Sequence, residues 1–196
     1  MTAPGPVFFT LGPSGTCHEH ALALYLRFQG VGDASIELVD DLLDALEVVR
    51  RRPRSFLLQN SAHQDVGTVT ERYCHEVFVV DTFICPTKPM AVLRRRDVER
   101  PRTLALMPAT KSYVDEAAWE SVVFERAKPL IGEGLLAGAY DAGLTHREWA
   151  ERFPDQLAVL EEIGCVDTAW LVYGRVRRAY GDVLGVRCPE IFAAGA

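Results

Sequence analysis

The sequence contains no long hydrophobic run: no apolar stretch reaches the roughly 20 residues that a membrane helix needs. The N-terminus also lacks a charged segment leading into an apolar one, so no signal peptide is expected. Basic charge is in deficit, with 21 Lys and Arg against 27 Asp and Glu and a formal net charge of -6. That balance speaks against nucleic acid as a partner, which calls for a basic surface, but not against a small anion held by a local cluster of donors. Cysteine is sparse. Cys17, Cys74, Cys85, Cys165 and Cys188 are odd in number and form no C-x-x-C pair, which argues against a disulfide framework and gives no zinc spacing. His18 and His20 stand two apart and would diverge on a helix, so no metal site is expected, and no motif asks for a cofactor. Internal repeats and low-complexity segments are absent. A soluble, cytoplasmic protein is expected, and a small anionic substrate stays open to it.

What is present suits that description. The 196 residues are 48% hydrophobic, enough for one large core or two small lobes. The chain is organised around residues 7–16, where Val7, Phe8 and Phe9 read as a buried strand entering a turn that contains Gly12, Pro13 and Gly15. A helix is expected over 21–28, with Ser14 or Thr16 placed to cap it by a hydroxyl. The open N–H groups at such a helix start, with the positive end of the dipole, suit a carboxylate or phosphate. Gly12 and Gly15 would let that ligand approach the backbone closely. The same residues would equally make a tight strand-to-helix connection with no ligand. Cys17 sits in the first turn of this helix, where the dipole favours a thiolate, whereas the other cysteines read as small core residues.

Strands and helices then alternate. Strands are expected at 35–39, 56–59, 77–83, 90–93, 103–107, 122–124, 139–144, 157–163 and 168–173. Asp40 or Asp41 caps a helix that carries Leu42, Leu43, Leu46 and Val49 at helical spacing. A polar loop containing Gly67 precedes a helix reaching about Cys74, and further helices are expected over 113–119, around 135–137 and from about 146 to 153. Pro86 and Pro89 suggest a crossover or a hinge, since proline cannot donate to a sheet ladder. The run Arg94, Arg95 and Arg96 reads as a solvated strand end, and past Arg175 the pattern fades. Such alternation implies an α/β protein with mostly parallel sheets and helices on both faces. Ligands of these sheets bind beyond the carboxyl ends of the strands, at a switch in strand order. Three strand ends offer short hydroxyl or amide side chains: the 12–16 turn, Asn60 with Ser61, and the segment 167–170. Asn-Ser is also ordinary turn chemistry, and a strand threonine is often a packing choice.

The residues Thr10, Leu11, Gly12, Pro13, Ser14, Gly15 and Thr16, with a helix after them, resemble the opening of prephenate dehydratases. Gln59, Asn60 and Ser61, followed by Val66, Gly67, Thr68 and Val69, resemble that family's Glu-Asn-Ser loop and its Gly-x-Val continuation. Thr168, Ala169 and Trp170 fall on its Thr-Arg-Phe motif. The matches keep their order and span about residues 7–174. The resemblance implies a bilobal fold like that of type II periplasmic binding proteins, with the substrate between the lobes. Residues 1–82 and 165–196 would form one lobe and 83–164 the other. A homodimer is implied as well. The chain is too short for the C-terminal ACT domain of typical dehydratases, so feedback by phenylalanine is not expected.

Two departures shape the functional expectation. Gln59 stands where the family has glutamate, and Ala169 where it has arginine. A guanidinium at that position can pair with a substrate carboxylate and hold charge beside a departing hydroxyl, and alanine can do neither. A branch of short proteins similar to prephenate dehydratase, found in antibiotic pathways, lacks the full motif. Its members decarboxylate prephenate without aromatising it, protonating a ring carbon and keeping the ring hydroxyl. The present sequence is similar to that branch in length, in the missing regulatory domain and in the broken motif. Three functions stay open: a non-aromatising prephenate decarboxylase, an unregulated dehydratase giving phenylpyruvate, and a non-catalytic or repurposed small-acid-binding protein. The resemblance assigns one carboxylate of a small dicarboxylate substrate to the backbone N–H groups of Ser14, Gly15 and Thr16. Asn60 and Ser61 would bind its polar end, Thr168 would orient or protonate at the ring, and Ala169 and Trp170 would complete the site. For the cation meeting the second carboxylate, Lys88, Lys111, His18 and His63 are candidates without a ranking.

Overall fold

Four consecutive residues of β1 (Val7–Leu11), Val7 to Thr10, are buried because the strand is covered on both faces. Phe8 packs with Leu22, Tyr25 and Leu26 of α1 (Cys17–Phe28), and Phe9 packs on the other side with Leu46 and Val49 of α2 (Leu42–Arg51). A strand buried on both faces has no polar alternation to show. Of the capping residues the sequence offers, Thr16 caps α1 and Asp41 caps α2, each accepting a backbone N–H of the first turn. The computed structural model describes residues 5–185, and Cys188 lies outside them.

The first sheet has the order β2-β1-β3-β10-β4, formed by β2 (Ser35–Val39), β3 (Ser55–Asn60), β4 (Phe78–Pro86) and β10 (Asp167–Gly174) around β1. The second has the order β7-β6-β8-β5-β9. It consists of β5 (Met90–Arg95), β6 (Thr103–Leu106), β7 (Ser121–Phe124), β8 (Ala142–His146) and β9 (Leu157–Gly164). Each sheet is mixed rather than mostly parallel. Pairings β1–β2, β1–β3, β6–β7 and β6–β8 are parallel, whereas β10 runs against β3 and β4, and β5 runs against β8 and β9. The antiparallel partners lie where the chain passes between sheets, out through β4 into β5 and back through β9 into β10, so those strands meet their neighbours head-on. The two connections are tied side by side: Thr87 N–H donates to the Val166 carbonyl at 2.9 Å, and Val166 N–H to Thr87 Oγ1 at 3.0 Å.

Three further expectations need correction. Gly67 lies inside α3 (Val66–Arg72), not in the loop before it. Residues 113–119 do not form a helix. Two 3-10 turns, Pro108–Tyr113 and Glu116–Ala118, flank Val114 in extended conformation, and Asp115 caps the second turn through Ala117 N–H. A β-branched residue followed by an aspartate that bonds its own backbone interrupts a helix at that point. Cys74 and Cys165 are exposed, not core residues, while Cys17 and Cys85 are buried.

Glycine seats the helices of the second sheet. A Cβ on Gly143 of β8 would stand 2.4 Å from Ile131 Cγ2 of α4 (Lys128–Ala137), and one on Gly132 would stand 2.2 Å from the ring of Trp149 in α5 (Glu148–Arg152). Only hydrogen fits at either position. This close packing fixes the start of α4, which carries Lys128. No helix among the described residues is long and apolar enough to cross a membrane.

Candidate active site

In the first sheet the chain goes from β1 outward to β2 and then returns to the opposite side of β1 as β3. The carboxyl ends of β1 and β3 therefore open a crevice at the switch in strand order. β6 and β8 make the same switch in the second sheet. The two crevices share one cavity of about 230 Å³, room for a single small molecule. Gly12, Thr16, Cys17, His18, Asn60, His63, Thr168 and Trp170 line it from one sheet, and Met107, Thr110, Tyr113, Arg126, Lys128 and His146 from the other.

Three strand ends that the sequence singles out meet here through Thr16, Asn60 and Thr168. Thr168 Oγ1 donates to Asn60 Oδ1 at 3.1 Å, and the same Oδ1 accepts the Ala62 N–H at 2.8 Å. Asn60 Nδ2 makes no hydrogen bond among the described residues and is left for a ligand. Asn60 N–H donates to His18 Nε2 at 3.4 Å, so the His18 proton resides on Nδ1. The His18 ring stands edge-on to Trp170 and to His63, at 5.2 Å and 5.9 Å between centroids. Trp170 is fully buried and donates Nε1–H to the Cys85 carbonyl at 3.1 Å.

Other expected site residues lie elsewhere. Ser14 and Gly15 do not reach the cavity, and the chain itself fills their anion position. Ser14 Oγ donates to Glu19 Oε2 at 2.9 Å, and Gly15 N–H donates to the same oxygen at 2.6 Å. The arrangement is akin to a capping box, except that Glu19, three residues past the cap Thr16, reaches one residue beyond it to the Gly15 N–H. Thr16 does line the cavity, but its hydroxyl is occupied by Glu19 N–H and the Leu11 carbonyl. Ser61 contributes its N–H to the Ala169 carbonyl and no side chain to the cavity. Ala169 lies on the face of β10 opposite Thr168 and Trp170, because successive strand residues alternate. Lys88 is held outside by Glu148 at 2.5 Å and the Gly15 carbonyl at 3.2 Å. Lys111 pairs with Glu116 at 3.4 Å on the surface.

The cation that reaches the cavity is Lys128, which the sequence reading missed. Among the described residues no carboxylate pairs with it, and Met107 Sδ at 3.9 Å is the one hydrogen-bond partner of its Nζ. Burial lowers its pKa from the usual lysine range. A lysine at the first position of a helix opposes the helix dipole, a placement that makes sense where an anion arrives, and it was the one legible signal. Arg126 stands at the rim and pairs with Asp40 across the mouth. Burial also governs the histidines. His18 and His146 are both pushed down to about 3, and His63 is lowered, so all three are neutral imidazoles near neutral pH. Cys17 Sγ of α1 lies 3.3 Å from His146 Nε2 of β8, a contact that joins the two lobes across the cavity. Among the described residues no group of three His, Cys, Asp or Glu is arranged to hold a metal ion.

No family model matches the chain, and no curated protein sequence matches it. Solved structures do. The prephenate dehydratase of Staphylococcus aureus subsp. aureus Mu50 aligns over 87% of this chain and 67% of its own, with a TM-score of 0.59 and 14% identity. The periplasmic VFT2 domain of Bordetella pertussis BvgS aligns over 87% of this chain and 80% of its own, at a TM-score of 0.51 and 15% identity. An ABC transporter from Parabacteroides distasonis aligns over 88% and 66%, at 0.54 and 11%. At such identities the likeness is one of fold: the chain has the bilobal α/β architecture of prephenate dehydratase and of type II periplasmic-binding-like domains.

Proposed function

We propose that this protein is a lyase that decarboxylates prephenate without aromatising it, in a secondary-metabolite pathway. Prephenate gains aromaticity when its ring carboxylate leaves together with the ring hydroxyl. An enzyme that stops short must deny the hydroxyl a proton and give one to a ring carbon instead. The observation that carries this reading is the bond from Thr168 to Asn60. Ala62 N–H fixes Asn60 Oδ1 as the acceptor, so the single hydroxyl proton of Thr168 is committed to that oxygen. Thr168 then meets the ring hydroxyl as an acceptor and holds it in place. The neutral histidines supply no imidazolium there either.

The electrostatics suit a dianion inside an acidic protein. One carboxylate pairs with Lys128, whose ammonium has no other carboxylate among the described residues, and the other meets Arg126 at the rim. Asn60 Nδ2 is a further donor. Apolar neighbours such as Met90, Met107 and Val166 line the same cavity and exclude water from a carboxylate about to leave.

The test is incubation of purified protein with prephenate and mass analysis of the product. Loss of carbon dioxide alone is expected, whereas phenylpyruvate as sole product would assign the dehydratase reaction. Prephenate that decays only at its spontaneous rate would assign a binding protein. Lys128→Met should raise KM about tenfold or more, the value of one charge-assisted contact. An unchanged KM would remove Lys128 from substrate binding.

A further inference from the structure

Resting on the decarboxylase reading, we infer that Cys17 is the acid that protonates the ring carbon and that His146 positions it. The thiol lines the cavity from the first turn of α1, with Sγ 3.3 Å from His146 Nε2. His146 is 1% exposed, and its Nδ1 has no hydrogen-bond partner among the described residues. A buried N–H without a partner is the rarer orphan, so the proton belongs on Nε2 and Nδ1 is the bare nitrogen. Nε2–H then donates to Sγ. This leaves the S–H of Cys17 free for the cavity and provides a donor to the thiolate that forms.

The other lining groups are less suited. The Thr168 proton is engaged by Asn60, and the Trp170 proton by the Cys85 carbonyl. Lys128 and Arg126 hold the carboxylates. Thr110 donates its hydroxyl proton to the Met107 carbonyl, His18 and His63 are neutral imidazoles, and Tyr113 offers a phenol, which yields its proton less readily than a thiol does.

The step balances. The bond from ring carbon to carboxylate breaks and carbon dioxide leaves. The electron pair becomes a new ring double bond, the adjoining double bond shifts, and its far carbon takes the thiol proton. The hydroxyl stays on its carbon, the S–H bond is the one broken in exchange, and water returns a proton to the thiolate.

Cys17→Ala and Cys17→Ser are tested with prephenate, thermal unfolding being used to confirm that each is folded. General acid catalysis is worth about 100-fold or more, so the expected result is a fall of that order in formation of the non-aromatic product. The fraction of phenylpyruvate should rise, because an unquenched ring carbanion expels hydroxide. Serine conserves the size of cysteine but is a weaker acid, so it should not restore the rate. His146→Gln, whose amide N–H can still donate to Sγ, should lower kcat less than His146→Ala, with KM unchanged in both. A folded Cys17→Ala or Cys17→Ser variant with wild-type kcat and product ratio would overturn the assignment. If wild-type protein yields only phenylpyruvate, or leaves prephenate intact, the decarboxylase reading itself has failed. An inactive alanine variant beside a productive wild type is the outcome that supports Cys17 alone.

Discussion

Mild acid should destabilise this protein before its carboxylates titrate. His18 and His146 are held at about 3 in the folded chain, chiefly by burial, against 6.5 when unfolded. The folded values lie below the unfolded ones, so the unfolded chain binds more protons throughout that interval. Stability is therefore intact above about pH 6.5 and lost as pH falls toward 3. Each unmatched proton gives a slope of about 1.4 kcal/mol per pH unit. Between about pH 7.5 and pH 5 this amounts to about 2 kcal/mol per histidine, or about 4 kcal/mol for the pair. That is a large share of the 5–15 kcal/mol typical of a folded domain. His20 and His63 are lowered too and act in the same direction. The carboxyls of Glu47, Asp97 and Asp141 lie below their ordinary values and contribute only under about pH 4.5. The assay is urea unfolding at a series of pH values, in wild type and in His18→Gln and His146→Gln. Each variant should lose about one proton's worth of slope. A wild-type midpoint that stays constant from about pH 7.5 to 5 would show that these imidazoles are not buried and neutral.

Two further substitutions separate fold from site. Glu19→Ala removes the carboxylate that binds Ser14 and Gly15 and should cost about 1 kcal/mol, as loss of a helix cap does. Its KM for prephenate should not change, and a several-fold shift would return that loop to the substrate site. Gln59→Met replaces a fully buried amide whose Oε1 and Nε2 both lack partners among the described residues. Thermal unfolding should find it neutral or stabilising by about 1 kcal/mol, and a loss of about 2 kcal/mol or more would reveal a partner for the amide.

Local chemistry carried much of the architecture. The apolar run of β1, the hydroxyl and carboxylate caps at Thr16 and Asp41, and the proline-marked exit at Pro86 and Pro89 are each set by neighbours a few residues away. Such features survive in a single sequence. So does the convergence of Thr16, Asn60 and Thr168, because each follows or opens a strand whose carboxyl or connecting end the α/β rule points to one crevice. The failures share a cause. Ser14 and Gly15 looked like an anion cradle, yet Glu19 satisfies the same donors within one turn. Ala169 follows Thr168 in sequence but faces away from it, since strand pleating sends neighbours to opposite sides.

By itself, then, the sequence determined the alternation of elements, the helix caps and the strand ends that supply Asn60 and Thr168. Only tertiary structure decided the mixed strand directions, which depend on how the chain crosses twice between sheets. Tertiary packing alone also brought Lys128 and His146 opposite Cys17 and Thr168. Cys17 and His146 stand 129 residues apart in the chain, and no local pattern encodes a contact closed by the docking of two sheets. Burial in that shared cavity is what sets the charges: it leaves the imidazoles of His18 and His146 neutral, beside a lysine, Lys128, with no carboxylate partner among the described residues.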